Sequence, residues 1–251
     1  MNIVVAFKVV PDDQDIQVGA DRSLDFSKAK GIVSAYDLNA IEAAAALAEA
    51  NPGSTVTALT VGGASIDDSK LKKNVLARGV DELRMVADDA CAGLDAHGTA
   101  AELAAVLGAM DWDVVLCGDG SADDYAQQVD VQLAAALGVP SVNAVTRIEA
   151  ADGALVVERT LEDVIEEVEV PLPAVVAVAP DVAEPRIPGM KDILAAGKKP
   201  MEVTGVPVAA ERTLEVISCA APEQAERACT VLDASADGAI EQFAAALKAA
   251  L

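Results

Sequence analysis

The sequence predicts an α/β fold: a doubly wound, mostly parallel sheet with an added β-hairpin region and a C-terminal arm plus helix. Three observations predict it. Apolar runs of strand length, NIVVAFK (2–8), TVTALTV (55–61) and DVVLC (113–117), recur between helical segments, as parallel strands covered on both faces do. Strand and helix segments alternate as far as Leu137, the pattern of a sheet with helices on both sides. From Ser141 the period changes to short strands, with a hairpin signal at Asp152-Gly153.

The elements follow in order. Residues 2–8 form the first buried strand. The segment from Val9 to about Ser34 is too long for an ordinary connection, and loops of that length are often functional. AYDLNAIEAAAALAEA (35–50) reads as a helix ended by Asn51-Pro52-Gly53. After the strand at 55–61, a helix spans 65–78, a short strand 82–86 and a second helix about 98–109. The strand at 113–117 turns through Gly118-Asp119-Gly120 into a helix from Ser121 to Leu137. Strands are expected at 142–149, 154–160, 165–170 and 174–179, and a short helix at 190–196. Residues 201–234 show no clear period. AIEQFAAALKAAL (239–251) is an amphipathic helix that either folds back on its own domain or reaches a partner. The division is a domain at 1–200 and an arm at 201–251.

Composition excludes several functions. Of 251 residues, 53% are hydrophobic and 2% aromatic, so the core is filled by small aliphatic side chains. The net charge of -23 argues against a nucleic-acid partner, which requires Lys and Arg to neutralise phosphates. No apolar run approaches the roughly 18 residues of a membrane span, and the N-terminus turns polar too soon for a signal peptide. Four cysteines without CxxC spacing and one histidine argue against zinc and fit reduced thiols in a cytoplasmic setting. There is no P-loop, no G-x-G-x-x-G after the first strand and no G-x-S-x-G elbow. His97 stands alone and is read as a bystander.

A parallel sheet binds ligands at the carboxyl ends of its strands, where the strand order reverses. The first and fourth strands end at Lys8 and Cys117, each followed by an unusual loop. In the second loop two glycines allow a tight turn, Ser121 can cap a helix, and Asp124 can serve as its capping-box acid. The N–H groups of that helix start attract phosphate, whereas the neighbouring carboxylates repel it or take a ribose hydroxyl. Nucleotide binding and a plain capped helix both fit.

The segments VAFKVVPDDQDI (5–16), SLDFSKAKGIVSAYDLNAIEAA (23–44), VTALTVGG (56–63), LARGVDEL (76–83), LCGDGSADDYAQQV (116–129), VERTLED (157–163), LPAVVAV (172–178) and EPRIPGMKDILAAGKKP (184–200) resemble the electron transfer flavoprotein beta subunit. Within that family they look most like the FixA branch, associated with anaerobic carnitine reduction. The resemblance implies an adenine nucleotide alpha hydrolase-like (Rossmann-like) fold and a heterodimer with an alpha subunit, which the C-terminal arm and helix contact. It implies one FAD held mainly by alpha, and a role as electron carrier between flavin dehydrogenases or reductases rather than as an enzyme. It also implies a second nucleotide in this subunit, AMP or a second FAD. That nucleotide is expected against Ala6, Ser34, Ala35, Tyr36, Asp37, Val61, Gly118, Asp119, Gly120, Ser121, Ala122, Asp123, Asp124, Gln127, Gln128 and Val129. The flavin of alpha is expected near Asp13, Tyr36 and the VERT segment. Glu184, Pro185, Arg186, Met190, Ile193 and Leu194 would dock the partner dehydrogenase, with Met190 at the apolar anchor position.

The chain departs from the family pattern in three places. Ser34-Ala35 replaces a common Asn-Pro, Val129 replaces a usual Thr, and Thr160 stands where Glu is common. Two other readings remain: a stand-alone adenine-nucleotide-binding sensor, for which the arm would be superfluous, and an ATP-using enzyme, which lacks a P-loop or basic cluster.

Overall fold

A computed structural model of the protein describes residues 1–224 and 229–250. Part of the expected arm (225–228) and the last residue of the expected C-terminal helix (251) lie outside the described residues. The strands are β1 (Asn2–Ala6), β2 (Val9–Pro11), β3 (Gln17–Val18), β4 (Leu24–Asp25), β5 (Gly31–Val33), β6 (Thr55–Gly62), β7 (Glu82–Ala87), β8 (Val114–Gly118), β9 (Ser141–Ala151), β10 (Ala154–Thr160), β11 (Ile165–Pro171), β12 (Ala174–Val178) and β13 (Met201–Thr204). The helices are α1 (Ala35–Ala50), α2 (Ser69–Leu76), α3 (Ala96–Leu107), α4 (Val129–Leu137), α5 (Met190–Ala196) and α6 (Ala239–Ala250).

The chain divides into two units. The larger comprises Met1–Gln17 and Asp25–Ser218, and the smaller Val18–Leu24 together with the stretch from Cys219 onward. In the larger unit, nine strands form one sheet in the order β11-β10-β9-β12-β8-β1-β6-β7-β13. The pairs from β9 through β13 are parallel, whereas β10 and β11 join as an antiparallel extension. The sequence reading of a mostly parallel sheet with a hairpin region holds. In the smaller unit, the apolar side chains Ile240, Phe243 and Leu247 of α6 are exposed.

Alternation along the central strands builds two apolar layers. Ile3 and Val5 of β1, Val114 and Leu116 of β8, and Val176 and Val178 of β12 join one cluster with Ile41 and Leu47 of α1 and Val75 of α2. Val4, Val115, Cys117, Val175 and Ala177 join the other with Leu103 and Leu107 of α3 and Leu133 of α4. Each layer is dominated by Ala, Val and Leu, which lets the helices lie close on the sheet.

Four elements differ from the sequence reading. The long segment after β1 is partly structured: β2 pairs antiparallel with β5, bringing Val10 opposite Ile32. The helix expected over 65–78 starts at Ser69, because Asp68 Oδ1 accepts from the N–H groups of Lys70 and Leu71 at 2.8 and 2.9 Å and caps it there. The helix expected from Ser121 begins at Val129. Residues 201–204, which show no period, form β13 beside β7, with Met201 opposite Leu83 and Val203 opposite Met85.

Candidate functional site

The chain runs from β1 outward to β6 and β7, then returns to the other side of β1 as β8. Strand order therefore reverses between β1 and β8, the place where such sheets open a crevice at their carboxyl ends. Three segments meet there: Phe7–Lys8 after β1, Ser34–Asp37 at the start of α1, and the loop from Gly118 to Gln128.

Asp37 ties them together. Its buried carboxylate accepts from the Lys8 N–H at 2.7 Å and from the Gly118 N–H at 3.0 Å, joining the ends of β1 and β8. Burial pushes its pKa up to about 7, against the two backbone donors and the Lys8 charge, which favour ionisation. Gly118 has to lack a side chain at this junction. A Cβ there would lie 2.8 Å from Tyr36 Cβ and 2.9 Å from Asp37 Oδ1. Ser34 is also buried, and its Oγ accepts from the Ala122 N–H at 3.2 Å, so the loop is stitched to the start of α1.

The loop is not the start of a helix. Ser121 does not cap one, and Asp124 is not its capping-box acid. Ser121 Oγ instead donates to Asp123 at 2.5 Å and accepts from the Tyr125 N–H at 3.3 Å. Lys8 Nζ reaches the carboxylates of both Asp123 and Asp124 at 2.8 Å. Tyr125 and Gln127 adopt positive φ (46° and 54°), which no α-helix accommodates. The Tyr125 ring lies over Gly120, where a Cβ would come within 2.2 Å of it, and against Tyr36 with centroids 5.1 Å apart. Tyr125 thus packs into this junction, although the sequence reading did not single it out. An aromatic among small and acidic residues is its only signal in the sequence.

The electrostatics soften the expected repulsion of an anion. Asp123 and Asp124 are engaged by Lys8. Burial works against the Lys8 ammonium, yet the hydrogen bonds it donates to both acids, with their charges, outweigh it and hold its pKa above the ordinary value. Burial raises the Asp119 and Asp130 carboxyls, which favours their neutral forms. The N-cap of α4, Gln128, makes no side-chain cap bond, and the first-turn N–H groups of Asp130 and Val131 face the Asp130 carboxyl instead. Asp119 Oδ1 is buried without a hydrogen-bond partner. An orphaned buried acceptor fits a nucleotide, whose ribose hydroxyl donates.

The predicted residues sit at these places as follows. Ser34, Asp37, Gly118, Ala122, Asp123 and Asp124 are brought together by the bonds above. Ala35 and Tyr36 open α1 beside them. Ala6 ends β1, and it shares an apolar layer with Val61 of β6. Gln127 and Gln128 are exposed, and Gln128 Oε1 accepts from Gln132 Nε2 at 3.3 Å. A groove of about 470 Å³ between α1 and β9 contains none of these residues.

The expected docking residues lie on and before α5. Ile187, Met190 and Leu194 are 93%, 75% and 69% exposed, an unusual density of bare apolar surface. Glu184 is exposed and Ile193 partly so. Arg186 differs: its guanidinium bonds to Glu42 and Glu49 of α1 rather than standing free. His97 is the second residue of α3 and is exposed.

Among the described residues, no helix is long and apolar enough to cross a membrane. The sequence model of the electron transfer flavoprotein domain matches residues 23–211, which covers β4 through the strand β13 and, of the crevice, the start of α1 and the loop from Gly118 to Gln128. Its members are electron carriers that bind FAD and work in heterodimers with partner dehydrogenases. The chain belongs to the electron transfer flavoprotein family.

Proposed function

We propose that this chain is the beta subunit of a heterodimeric electron transfer flavoprotein of the FixA branch, relaying electrons between flavin dehydrogenases or reductases in anaerobic acyl-CoA or carnitine metabolism. FAD, held mainly by the alpha subunit, supplies the redox chemistry when bound. This chain contributes a second nucleotide site, for AMP or a second FAD, a docking surface on α5, and an arm ending in α6 that contacts alpha. The setting is cytoplasmic.

One observation carries the reading: in a chain of this family, the β1–β8 switch point is closed by a loop that leaves Asp119 Oδ1 buried without a partner. In that site backbone N–H groups of the loop from Gly118 would hold phosphate. Asp119 Oδ1 accepts from a ribose hydroxyl. Asp37 keeps the ends of β1 and β8 in register beneath the ligand, and Lys8 holds the loop across it. The exposed side chains of α6 support an arm that buries its apolar face on a partner, since such a stripe is otherwise left in water.

Co-expression with an alpha subunit tests the assignment. The expected product is a yellow stoichiometric heterodimer whose acid extract contains FAD with AMP, or two FAD. A chain that stays colourless and alone overturns the subunit role. A heterodimer that releases a single FAD and nothing else overturns the second nucleotide site.

A further inference from the structure

Arg186 spends its hydrogen-bonding capacity inside the chain. Its backbone N–H and its Nε donate to Glu42 Oε2 at 3.0 and 2.7 Å, and Nη2 donates to Glu42 Oε1 at 2.9 Å. Nη1 donates to Glu49 Oε1 at 2.8 Å. The Arg186 carbonyl accepts from Arg78 Nη1 at 2.6 Å. Glu42 and Glu49 lie two turns apart on α1, so the guanidinium spans one helix face. Space for it comes from Gly79, which follows α2 with φ +90°. A Cβ there would lie 2.8 Å from Ala45 Cβ and 3.1 Å from Arg186 Nη1.

The far end of the same segment is held as well. Lys199 Nζ donates to the carbonyls of Leu76 and Val80 at 2.9 and 2.5 Å, and Ala196 is fully buried. Between these two fixed ends stand the bare apolar side chains Ile187, Met190 and Leu194. A seven-residue helix with its apolar side chains in water is not held by packing of that face, so the anchors must define its conformation.

We propose that Arg186 is a positioning residue: it clamps the approach to α5 onto α1, so that the apolar face is presented to a flavin dehydrogenase in one preset conformation. This rests on the docking role of α5 given above, and it reassigns Arg186 from partner contact to internal clamp. A preset face avoids the entropy cost of ordering a loop at each encounter, which suits a carrier that binds and leaves repeatedly. Lysine cannot replace it, because a point charge does not reproduce a planar fork bonded to two carboxylates.

The test uses the full chain in its heterodimer, with Arg186→Lys, Glu42→Gln and Met190→Asp. One readout is hydrogen exchange of the amides at 187–197. The other is KM and kcat for reduction of the heterodimer by a short-chain acyl-CoA dehydrogenase supplied with its acyl-CoA. Arg186→Lys and Glu42→Gln are expected to speed exchange by about tenfold and raise KM several-fold, with kcat and flavin content unchanged. Met190→Asp is expected to raise KM without changing exchange. Unchanged exchange in both clamp variants overturns the clamp, whatever KM does. If Arg186→Lys raises KM while Glu42→Gln does not, Arg186 is a partner contact and the proposal fails. If exchange rises but Met190→Asp leaves KM unchanged, or the wild type shows no saturation, the clamp stands and the docking role falls. Should Arg186→Lys not assemble, Glu42→Gln alone decides, since it breaks the fork and leaves Arg186 in place.

Discussion

Replacing Asp37 by Asn gives the sharpest test of the junction between β1 and β8. The carboxyl is buried, and its pKa is raised from 3.8 to about 7. A carboxyl raised on folding contributes stability that is fully present below its unfolded pKa and is lost as pH rises through its folded pKa. For this group the loss runs from about pH 4 to about pH 7. Between about pH 5 and about pH 8 the change works out at roughly 2.5 kcal/mol, from about 1.36 kcal/mol per pKa unit. Asp37→Asn cannot titrate, so it removes this slope, although its amide turns one acceptor into a donor facing a backbone N–H and lowers stability outright. The assay is urea unfolding of wild type and variant at several pH values across that window. The difference between the two chains cancels the other carboxyls common to both. The wild type is expected to lose roughly 2.5 kcal/mol relative to the variant on going from about pH 5 to about pH 8. A difference that is constant across the window, or that grows in favour of the wild type, would refute burial as the dominant influence on Asp37.

Other changes probe the neighbouring contacts. Lys8→Gln frees Asp123 and Asp124. Because those groups are partly exposed, the stability cost should stay under about 1 kcal/mol, while nucleotide dissociation, followed by fluorescence, should quicken. Gly120→Ala forces the Tyr125 ring aside and costs about 1 kcal/mol through the lost pairing with Tyr36, with chemical denaturation as the measure. Asp95 accepts from the N–H and hydroxyl of Thr213 and from the Leu214 N–H at 2.6, 2.8 and 2.9 Å, and these bonds with that of the Gly98 N–H hold its carboxyl well below the usual range. Asp95→Ala should therefore free the backbone at Thr213 and Leu214 and speed tryptic cleavage after Arg212 at neutral pH relative to the wild type; equal rates would sink the idea.

The sequence revealed those elements whose cause is local. The helix over 35–50 ends where Asn51 turns its amide back to the Leu47 carbonyl at 2.8 Å, and an Asn-Pro-Gly run announces that stop. The buried strands announce themselves by unbroken Val, Ile and Leu. The readings failed where a distant residue decides. Ser-Ala-Asp-Asp at 121–124 looks like a helix start, but Lys8, more than a hundred positions earlier, takes both acids and holds the segment as a loop. Met201–Thr204 has no pattern of its own and is a strand only because β7 lies beside it. Arg186 looks like a docking charge until Glu42 and Glu49, which share its helix face only after folding, are seen to hold it.

The strand β13 has a consequence for how the chain can be cut. It covers the flank of β7, with Thr204 opposite Val86 and the Pro200 carbonyl accepting from the Leu83 N–H at 3.1 Å. A chain ending before Met201 would leave unpaired the backbone groups of β7 that face β13, on a strand whose Leu83, Met85 and Val86 are buried in the full chain. Bare flanks of that kind recruit other chains and drive aggregation. β13 thus takes over as the sheet edge, and at four residues with an acidic Glu202 it offers other chains a far shorter template than the six residues of β7 would.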